Sequence, residues 1–140
     1  MAGVQVGRVI VGPSGRGWIR GTLGYGFELI PVFATTGPEA VQGGAFDIFL
    51  LRWNLTGTPR VQPYFDAAGG AVITTRDIPP GDTSSFNFVP KLGAGFMFYT
   101  RKRQAASLGL RYWHLSNGKL GDRNPALNGM QLTIGYHWFK

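Results

Sequence analysis

The fold is decided by the stretch ASLGLRYWHLSNG, residues 106–118. The side chains of a β-strand alternate between its two faces. This alternation places five residues of the stretch on one face: Leu108, Leu110, Tyr112, His114 and Ser116. A base and a hydroxyl therefore lie next to each other on an apolar strand face. A soluble enzyme rarely places its chemistry there, whereas an enzyme that acts on a lipid would.

The composition favours a β-protein. The chain has 140 residues, which is enough for one domain, residues 1–140, and not comfortably for two. Only 15% of its residues are charged, against about a quarter in soluble domains, and its 22 glycines suit many short strands with tight turns. No segment approaches the ~20 unbroken apolar residues of a membrane helix, so a membrane location requires a closed β-barrel.

Charge and residue types limit the possible partners and cofactors. The net charge of +7 suits either nucleic acid or an anionic lipid surface. The basic residues form no helical stripe and no nucleic-acid motif, so we expect no nucleic-acid partner. The chain lacks cysteine, and its two histidines, His114 and His137, are too few for an ordinary zinc site. We therefore expect no metal and no cofactor.

Seven strand candidates are separated by Gly-, Pro- and Asn-rich segments. They are Gly3–Val11, Trp18–Phe33, Ala45–Asn54, Arg60–Thr74, Phe86–Tyr99, Ala105–Leu115 and Asn128–Phe139. Apolar and polar side chains alternate clearly in several of them. In the second, for example, Phe27 and Phe33 oppose Glu28. The third is too uniformly apolar for its faces to be assigned.

The alternation predicts a barrel with an apolar outside and a polar inside. Six charged residues are expected to meet in the lumen: Arg20, Glu28, Arg52, Asp66, Lys91 and Arg111. Opposite charges can pair there, and the lumen glycines leave room for long side chains. A soluble β-sandwich is the alternative, but the outward aromatic residues are too many for it.

The connections between the strands alternate in length. They are long after Phe33, Thr74 and Leu115 and short after Asn54 and Tyr99. Outer-membrane barrels have short periplasmic turns, longer external loops and even strand numbers. We therefore expect an all-β, antiparallel transmembrane barrel of the eight-stranded type in the bacterial outer membrane, with one strand and a signal peptide preceding the start of this chain. A hidden strand or a wrong count is the alternative.

The predicted site needs three kinds of group. Serine becomes a nucleophile when a nearby base takes its proton. His114 and Ser116 share a face at roughly 7 Å between Cα atoms, a gap that the side chains can close if the chain bends beyond them. The outward face of the last strand brings Asn128 to the same rim, where it can orient the histidine. Asn117 and the amide of Gly118 are candidates for stabilising an oxyanion.

Two segments carry a resemblance to a known family. RYWHLSNG (residues 111–118) and NPALN (residues 124–128) resemble the signature of the lipid A 3-O-deacylase (PagL) family. A looser similarity extends to GYGFELIP (residues 24–31) and LRWN (residues 51–54). Members of this family are eight-stranded outer-membrane barrels that hydrolyse the ester-linked acyl chain at the 3 position of lipid A.

The resemblance implies roles for individual residues. His114 would be the general base, Ser116 the nucleophile, and Asn117 part of the oxyanion hole. Asn128 stands where the family's best-studied members carry a glutamate. An amide can orient a histidine but cannot stabilise the imidazolium with a full charge, which implies slower turnover or a repurposed barrel. Asp122, the nearest loop carboxylate, could replace the glutamate only if the loop folded back.

The sequence also predicts contacts to the substrate and leaves two alternative functions open. Lys119 and Arg123 flank the site where the phosphates of lipid A or lipopolysaccharide would lie, and a homodimer is left open. A non-catalytic structural barrel that keeps the family scaffold is one alternative, and Asn128 is its best argument. The other is a soluble, lipocalin-like carrier, which requires an apolar lumen that Glu28 and Arg111 contradict.

Overall fold

The computed structural model describes residues 2–34, 40–81 and 83–140. These residues form seven β-strands and a single 3-10 turn at Gly17–Ile19. The strands are β1 (Ala2–Ser14), β2 (Gly21–Ala34), β3 (Gln42–Leu55), β4 (Val61–Thr74), β5 (Phe86–Arg101), β6 (Gln104–Leu115) and β7 (Leu127–Trp138). The seven predicted strands are confirmed.

The strands form one antiparallel sheet in chain order, so β1 and β7 are its two edges. The eighth strand expected before Met1 stays a prediction. Short connections (15–20, 56–60 and 102–103) lie at one end of the sheet, which we call the turn end. Long connections (35–41, 75–85 and 116–126) lie at the other end, the loop end. The alternation of lengths is confirmed, although residues 35–39 of the first loop lie outside the described residues.

The start of the second strand differs from the prediction. The strand was expected from Trp18, but Gly17–Ile19 form a 3-10 turn and β2 begins at Gly21. Gly15 and Gly17 take φ values of 85° and 59°, a region that residues with a Cβ rarely enter. The two glycines let the chain reverse at the turn end before β2 starts.

The outward face of the sheet is apolar, as expected for a barrel wall that contacts lipid. In β7, Leu132, Ile134 and Trp138 are 66%, 81% and 73% exposed. The residues that alternate with them, such as Gln131 and Thr133, are half-buried on the inner face. Among the described residues, no helix is long and apolar enough to cross a bilayer.

A bulge explains why the faces of β3 could not be assigned from sequence. The pairing of β3 with β4 shifts register between Asp47 and Phe49. Ile48 and Phe49 consequently both lie on the outward face, while Asp47 is buried inside. The extra residue of a bulge interrupts the period of two on which such an assignment depends.

Ion pairs across the interior show that the sheet is curled. Nη1 of Arg111, on β6, lies 2.7 Å from Oε2 of Glu28, on β2. In a flat sheet these strands would be roughly 19 Å apart, because neighbouring strands are about 4.8 Å apart. The sheet therefore bends round until its second and sixth strands face each other.

The lumen holds a connected set of buried charges. Oδ2 of Asp66 lies 2.9 Å from Nη2 of Arg111 and 2.9 Å from Nη2 of Arg52, and Nζ of Lys91 lies 2.8 Å from Oδ2 of Asp47. Each charge has an opposite partner, which offsets part of the cost of removing it from water. This interior is the opposite of what a lipocalin-like carrier requires.

The predicted lumen set needs one correction. Arg20 does not join the charges inside: it follows the 3-10 turn and is exposed at the turn end. Asp47, hidden in the unassigned strand, takes part instead. The predicted role of the glycines is confirmed at Gly93, where a Cβ would lie 2.5 Å from both Cγ of Arg111 and Oδ1 of Asp66.

An apolar cluster closes the lumen at the loop end. Val72, Val89 and Leu115 form its buried part, and Phe33 packs against them. The prediction that Phe33 faces outward is therefore wrong. The pairing of β2 with β3 shifts register between Ile30 and Phe33, which turns the phenyl ring inward. This cluster supports the segment that carries the candidate site.

Candidate active site

His114 and Asn128 are register partners in the β6–β7 pair, close to the loop end of the barrel. Nδ1 of His114 lies 2.8 Å from Oδ1 of Asn128. A carbonyl oxygen can only accept a hydrogen bond, so Nδ1 carries the proton and donates it. Nε2 is then the unprotonated nitrogen of the neutral ring, which is the state that a general base needs.

Tyr112 forms a hydrogen bond with the same side-chain amide of Asn128. Its hydroxyl donates to Oδ1 of Asn128 at 2.6 Å. The sequence places Tyr112 on the face of His114, because the two are separated by two positions in a strand, but it gives no sign of this hydrogen bond. This hydrogen bond depends on the register between β6 and β7, which cannot be deduced from the sequence. In that register His114 pairs with Asn128, and Tyr112 lies diagonally across from the Asn128 amide.

Ser116 follows the last residue of β6 and forms an isolated bridge with Phe88 of β5. The two backbones exchange hydrogen bonds, N of Phe88 to O of Ser116 at 2.8 Å and N of Ser116 to O of Phe88 at 3.1 Å. This bridge extends the alternation of β6, so Ser116 lies on the outward side with His114.

The Ser116 hydroxyl makes no hydrogen bond to His114 among the described residues. Residues two positions apart in a strand have Cα atoms about 7 Å apart, so their side chains must lean toward each other to meet. Catalytic hydrogen bonds are often long before substrate binds. The imidazole of His114 and the hydroxyl of Ser116 therefore share the outward face. A rotation of their side chains is needed for a hydrogen bond between them.

Asn117 is turned away from the outward face and is 2% exposed. Its Nδ2 donates to O of Arg123 at 2.7 Å, and its Oδ1 accepts from N of Lys119 at 2.9 Å. Its backbone N donates to Oδ1 of Asn124 at 3.0 Å. Asn117 therefore holds the loop together, and the predicted oxyanion contact would require its buried side chain to turn toward the outward face.

Gly118 is the better placed of the two predicted oxyanion donors. Its backbone amide has no hydrogen-bond partner among the described residues, and the residue is exposed. Gly118 and Lys119 take φ values of 62° and 69°, so the chain makes a left-handed turn directly after Asn117. A Cβ at position 118 would lie 3.0 Å from Cε2 of Phe88, so the turn packs closely on the ring of the residue that pairs with Ser116.

Two predicted cations flank this turn. Lys119 and Arg123 are both exposed, and neither belongs to an ion pair among the described residues. Asp122 lies between them, also exposed, and makes no hydrogen bond to His114. The loop thus offers positive charge beside the site and no carboxylate to the histidine.

An apolar furrow runs along the outward face beside Ser116. Phe46, Ala71 and Phe88 are register partners across β3, β4 and β5, and Phe88 pairs in turn with Ser116. One step toward the turn end, the floor of the furrow is Gly69. Small residues on β4 between the aromatic rings of β3 and β5 leave an apolar depression of about 330 Å³.

A second serine–histidine pair lies on the other side of the wall. Oγ of Ser107 is 2.8 Å from Nε2 of His137, and Ser107 is buried in the lumen near the turn end. No carboxylate or amide orients this histidine among the described residues, so the pair lacks the third group that Asn128 supplies to His114. The residues that the structure describes also contain no group of three His, Asp or Glu able to hold a metal ion.

Comparison with known proteins agrees with the resemblance of the site segments. Residues 14–137 match the family model described as lipid A 3-O-deacylase (PagL). The lipid A deacylase PagL of Bordetella bronchiseptica is 34% identical over 77 residues, which are 54% of this chain and 41% of that protein. The chain thus matches less than half the length of this relative, and no solved structure gave a match. Because the family match spans most of the chain, the protein belongs to the lipid A 3-O-deacylase (PagL) family.

Proposed function

We propose that this protein hydrolyses the ester-linked acyl chain at the 3 position of lipid A, in the outer leaflet of the bacterial outer membrane. The observation that carries the proposal is the bond between Nδ1 of His114 and Asn128, which leaves Nε2 as a base on the same outward face as Ser116. An outward site suits a substrate that stays in the bilayer, because lateral diffusion brings the ester to the barrel wall.

The first half of the reaction is acyl transfer to the enzyme. Nε2 of His114 takes the proton of the Ser116 hydroxyl while Oγ attacks the ester carbonyl carbon. The carbonyl oxygen becomes the oxyanion of a tetrahedral intermediate. When this intermediate collapses, the bond to the sugar oxygen breaks, and the imidazolium returns its proton to that oxygen as the leaving alcohol. Ser116 then carries the acyl group as an ester.

The second half repeats these steps with water. Nε2 of His114 removes a proton from a water molecule, whose oxygen attacks the acyl-enzyme carbonyl. Collapse of the second intermediate releases the fatty acid and returns the proton to Oγ of Ser116. The net reaction consumes one water and requires no metal or cofactor.

The backbone amide of Gly118 is the proposed oxyanion donor. It follows the nucleophile by two residues and has no competing partner among the described residues. Preorganised amides aimed at the developing charge are worth several kcal/mol in such reactions. Asn117 contributes by fixing the turn, or directly if substrate binding releases its side chain from the loop.

The surroundings of Ser116 suit the two parts of lipid A. The furrow between Phe46 and Phe88 lies one strand away from Ser116, which pairs with Phe88, and it offers an apolar surface to an acyl chain. Lys119 and Arg123 project from the loop end, where phosphate groups of the headgroup would lie, and both are free to pair with them. All of these groups come from one chain, so the homodimer left open by the sequence is not needed for the chemistry.

The test is release of 3-hydroxy fatty acid from purified lipid A by the refolded protein in detergent or lipid. We expect release by the wild type, and loss of at least about a thousandfold with Ser116→Ala or His114→Ala. Ser107→Ala, which removes the hydroxyl of the lumen pair, is the matched control and should retain activity. No release by the wild type, or undiminished release by Ser116→Ala, would overturn the proposal.

A second candidate is a structural barrel that keeps the family scaffold without turnover. The amide at Asn128 favours it, because an amide stabilises the imidazolium less than the carboxylate implied by the family resemblance. The same assay separates the two candidates. Only the catalytic one predicts release that depends on Ser116.

A further inference from the structure

We propose that Tyr112 is a positioning residue that sets the tautomer of His114 through the Asn128 amide. This inference rests on the proposed function. Its starting point is that a single atom, Oδ1 of Asn128, receives both the Tyr112 hydroxyl at 2.6 Å and Nδ1 of His114 at 2.8 Å. Both lone pairs of that oxygen are therefore occupied.

The need for such a residue follows from the chemistry of an amide. A carboxylate presents an acceptor oxygen to the histidine whichever way it turns. An asparagine side chain has one accepting and one donating end. If the side-chain amide of Asn128 rotated so that Nδ2 and Oδ1 exchanged places, Nδ2 would donate to Nδ1 of His114. The ring proton would then move to Nε2, and the ring could no longer take the proton of Ser116.

Tyr112 opposes that reversal. A phenol donates a hydrogen bond readily, so its hydroxyl favours the orientation in which Oδ1, and not Nδ2, faces the pair. The hydroxyl also polarises the amide, which makes Oδ1 a better acceptor when the imidazolium forms. Tyr112 is held where it can do this, since it lies on the same face of β6 as His114 and close to Asn128 on β7.

The decisive experiment combines two substitutions in a cycle. Tyr112→Phe should lower kcat about three- to tenfold, with KM nearly unchanged, because one hydrogen bond is lost at a group that does not touch substrate. In an Asn128→Glu background the same substitution should change kcat by less than about twofold, because a carboxylate needs no orienting donor. Tyr136→Phe removes another lipid-facing hydroxyl, on β7, and is the matched control.

A second measurement reads the tautomer without any turnover. Nitrogen-15 NMR of the histidine side chains in micelles should find Nδ1 of His114 protonated in the wild type and in Tyr136→Phe. Tyr112→Phe should give a mixture of tautomers. An unchanged tautomer, or equal loss of kcat in both backgrounds, would overturn the inference. A wild type without turnover would reject the proposed function, and the NMR result would still decide the role of Tyr112.

We further infer, from a separate observation, that the turn end binds the headgroups of anionic phospholipids. Six cations there form a set that we call the basic collar: Arg16, Arg20, Arg60, Arg101, Lys102 and Arg103. All six are exposed, and none belongs to an ion pair among the described residues. Segments 15–20, 56–60 and 99–104 contain no Asp or Glu.

The position of the collar matches the depth of lipid headgroups. Trp18 and Trp138, at the turn end, are 82% and 73% exposed, as in the aromatic belts that lie at membrane interfaces. The collar lies beside this belt, where phosphate groups of a bilayer are found. The loop end differs, because two aspartates, Asp77 and Asp122, lie among its cations Arg76, Lys119 and Arg123 in the chain. Most of the uncompensated positive charge therefore lies at the turn end.

Spin-labelled lipids test this inference in the reconstituted protein. Phosphatidylglycerol should associate with the wild-type barrel more strongly than phosphatidylcholine, and the preference should decrease with salt. Arg101→Gln/Lys102→Gln/Arg103→Gln should lower the relative association constant by about two- to fivefold. Arg101→Lys/Arg103→Lys keeps the charge and should keep the preference. Equal association of both lipids, or an unchanged preference in the neutralised variant, would overturn it.

Discussion

Replacing Arg111 by methionine tests whether the charges in the lumen hold the barrel wall together. The guanidinium is 4% exposed and makes three hydrogen bonds, two to Asp66 and one to Glu28. Asp66 keeps Arg52 as a partner, whereas Glu28 has no other ion pair among the described residues. The substitution therefore leaves the orphaned Glu28 carboxylate inside the barrel without an ion-pair partner, with the Asp47 carboxyl as its remaining hydrogen-bond neighbour.

Removing one partner of a buried pair costs about 3–5 kcal/mol, and the partial exposure of Glu28 places this case near the lower end. We expect Arg111→Met to lower the free energy of unfolding by about 3 kcal/mol. The measurement is urea unfolding of the reconstituted barrel followed by tryptophan fluorescence, with the midpoint shifted and the slope unchanged.

Two further variants make the result specific to the network. Arg111→Met/Glu28→Gln removes the orphaned charge and should regain at least about 1 kcal/mol of stability. Arg60→Met, at an exposed cation of the turn end, should change stability by less than about 0.5 kcal/mol. The reasoning is refuted if Arg111→Met costs less than about 1 kcal/mol, or if the double variant is less stable than the single one.

Three other substitutions test the site. Asn128→Glu should raise kcat about tenfold in the fatty-acid release assay, because a carboxylate makes a charge-assisted bond to the imidazolium; a slower variant would contradict the proposed role of the amide. Gly118→Ala should lower kcat about tenfold, and it should lower the free energy of unfolding by no more than about 2 kcal/mol, since a left-handed residue with a Cβ costs about 1–2 kcal/mol; full activity would show that the turn is not critical. Ala71→Leu should fill the furrow and lower kcat/KM for long acyl chains more than for a short-chain ester; equal losses would exclude the furrow as the acyl site.

The strands and the two faces of the wall could be predicted because their signal is local. Alternation in β6 places Tyr112, His114 and Ser116 outward and Arg111 inward, and the structure has them so. The same rule placed Asn128 on the outward side of the neighbouring strand. Burial on one face fixes such a pattern, because a shift by one residue would expose every lumen side chain to lipid.

The errors lie where the period of two is interrupted. A register shift after Ile30 turns Phe33 inward, and a bulge at Asp47 hides a lumen carboxylate in an apolar run. Neither has a sequence signature, because a bulge depends on how two strands pair. Arg20 was misplaced since a 3-10 turn precedes β2.

The hydrogen-bond partners of the side chains at the site also could not be predicted from the sequence. Asn117 was expected at the oxyanion, but its hydrogen bonds to Lys119, Arg123 and Asn124 depend on the path of the loop. The bond from Tyr112 to Asn128 depends on the diagonal contact between two strands. Residue types alone do not reveal such contacts, which require the register and the rotamers.

The most direct test of the central claim is to map the serine that reacts with a long-chain alkyl fluorophosphonate delivered from lipid vesicles. This reagent forms a bond from phosphorus to an activated serine oxygen and releases fluoride, so it reports a nucleophile that can be reached from the bilayer. We predict that mass spectrometry of the digested protein finds the adduct on Ser116, and that His114→Ala abolishes it. An adduct on Ser107 in place of Ser116, or labelling of Ser116 that persists without His114, would contradict a lipid-facing site built from that pair.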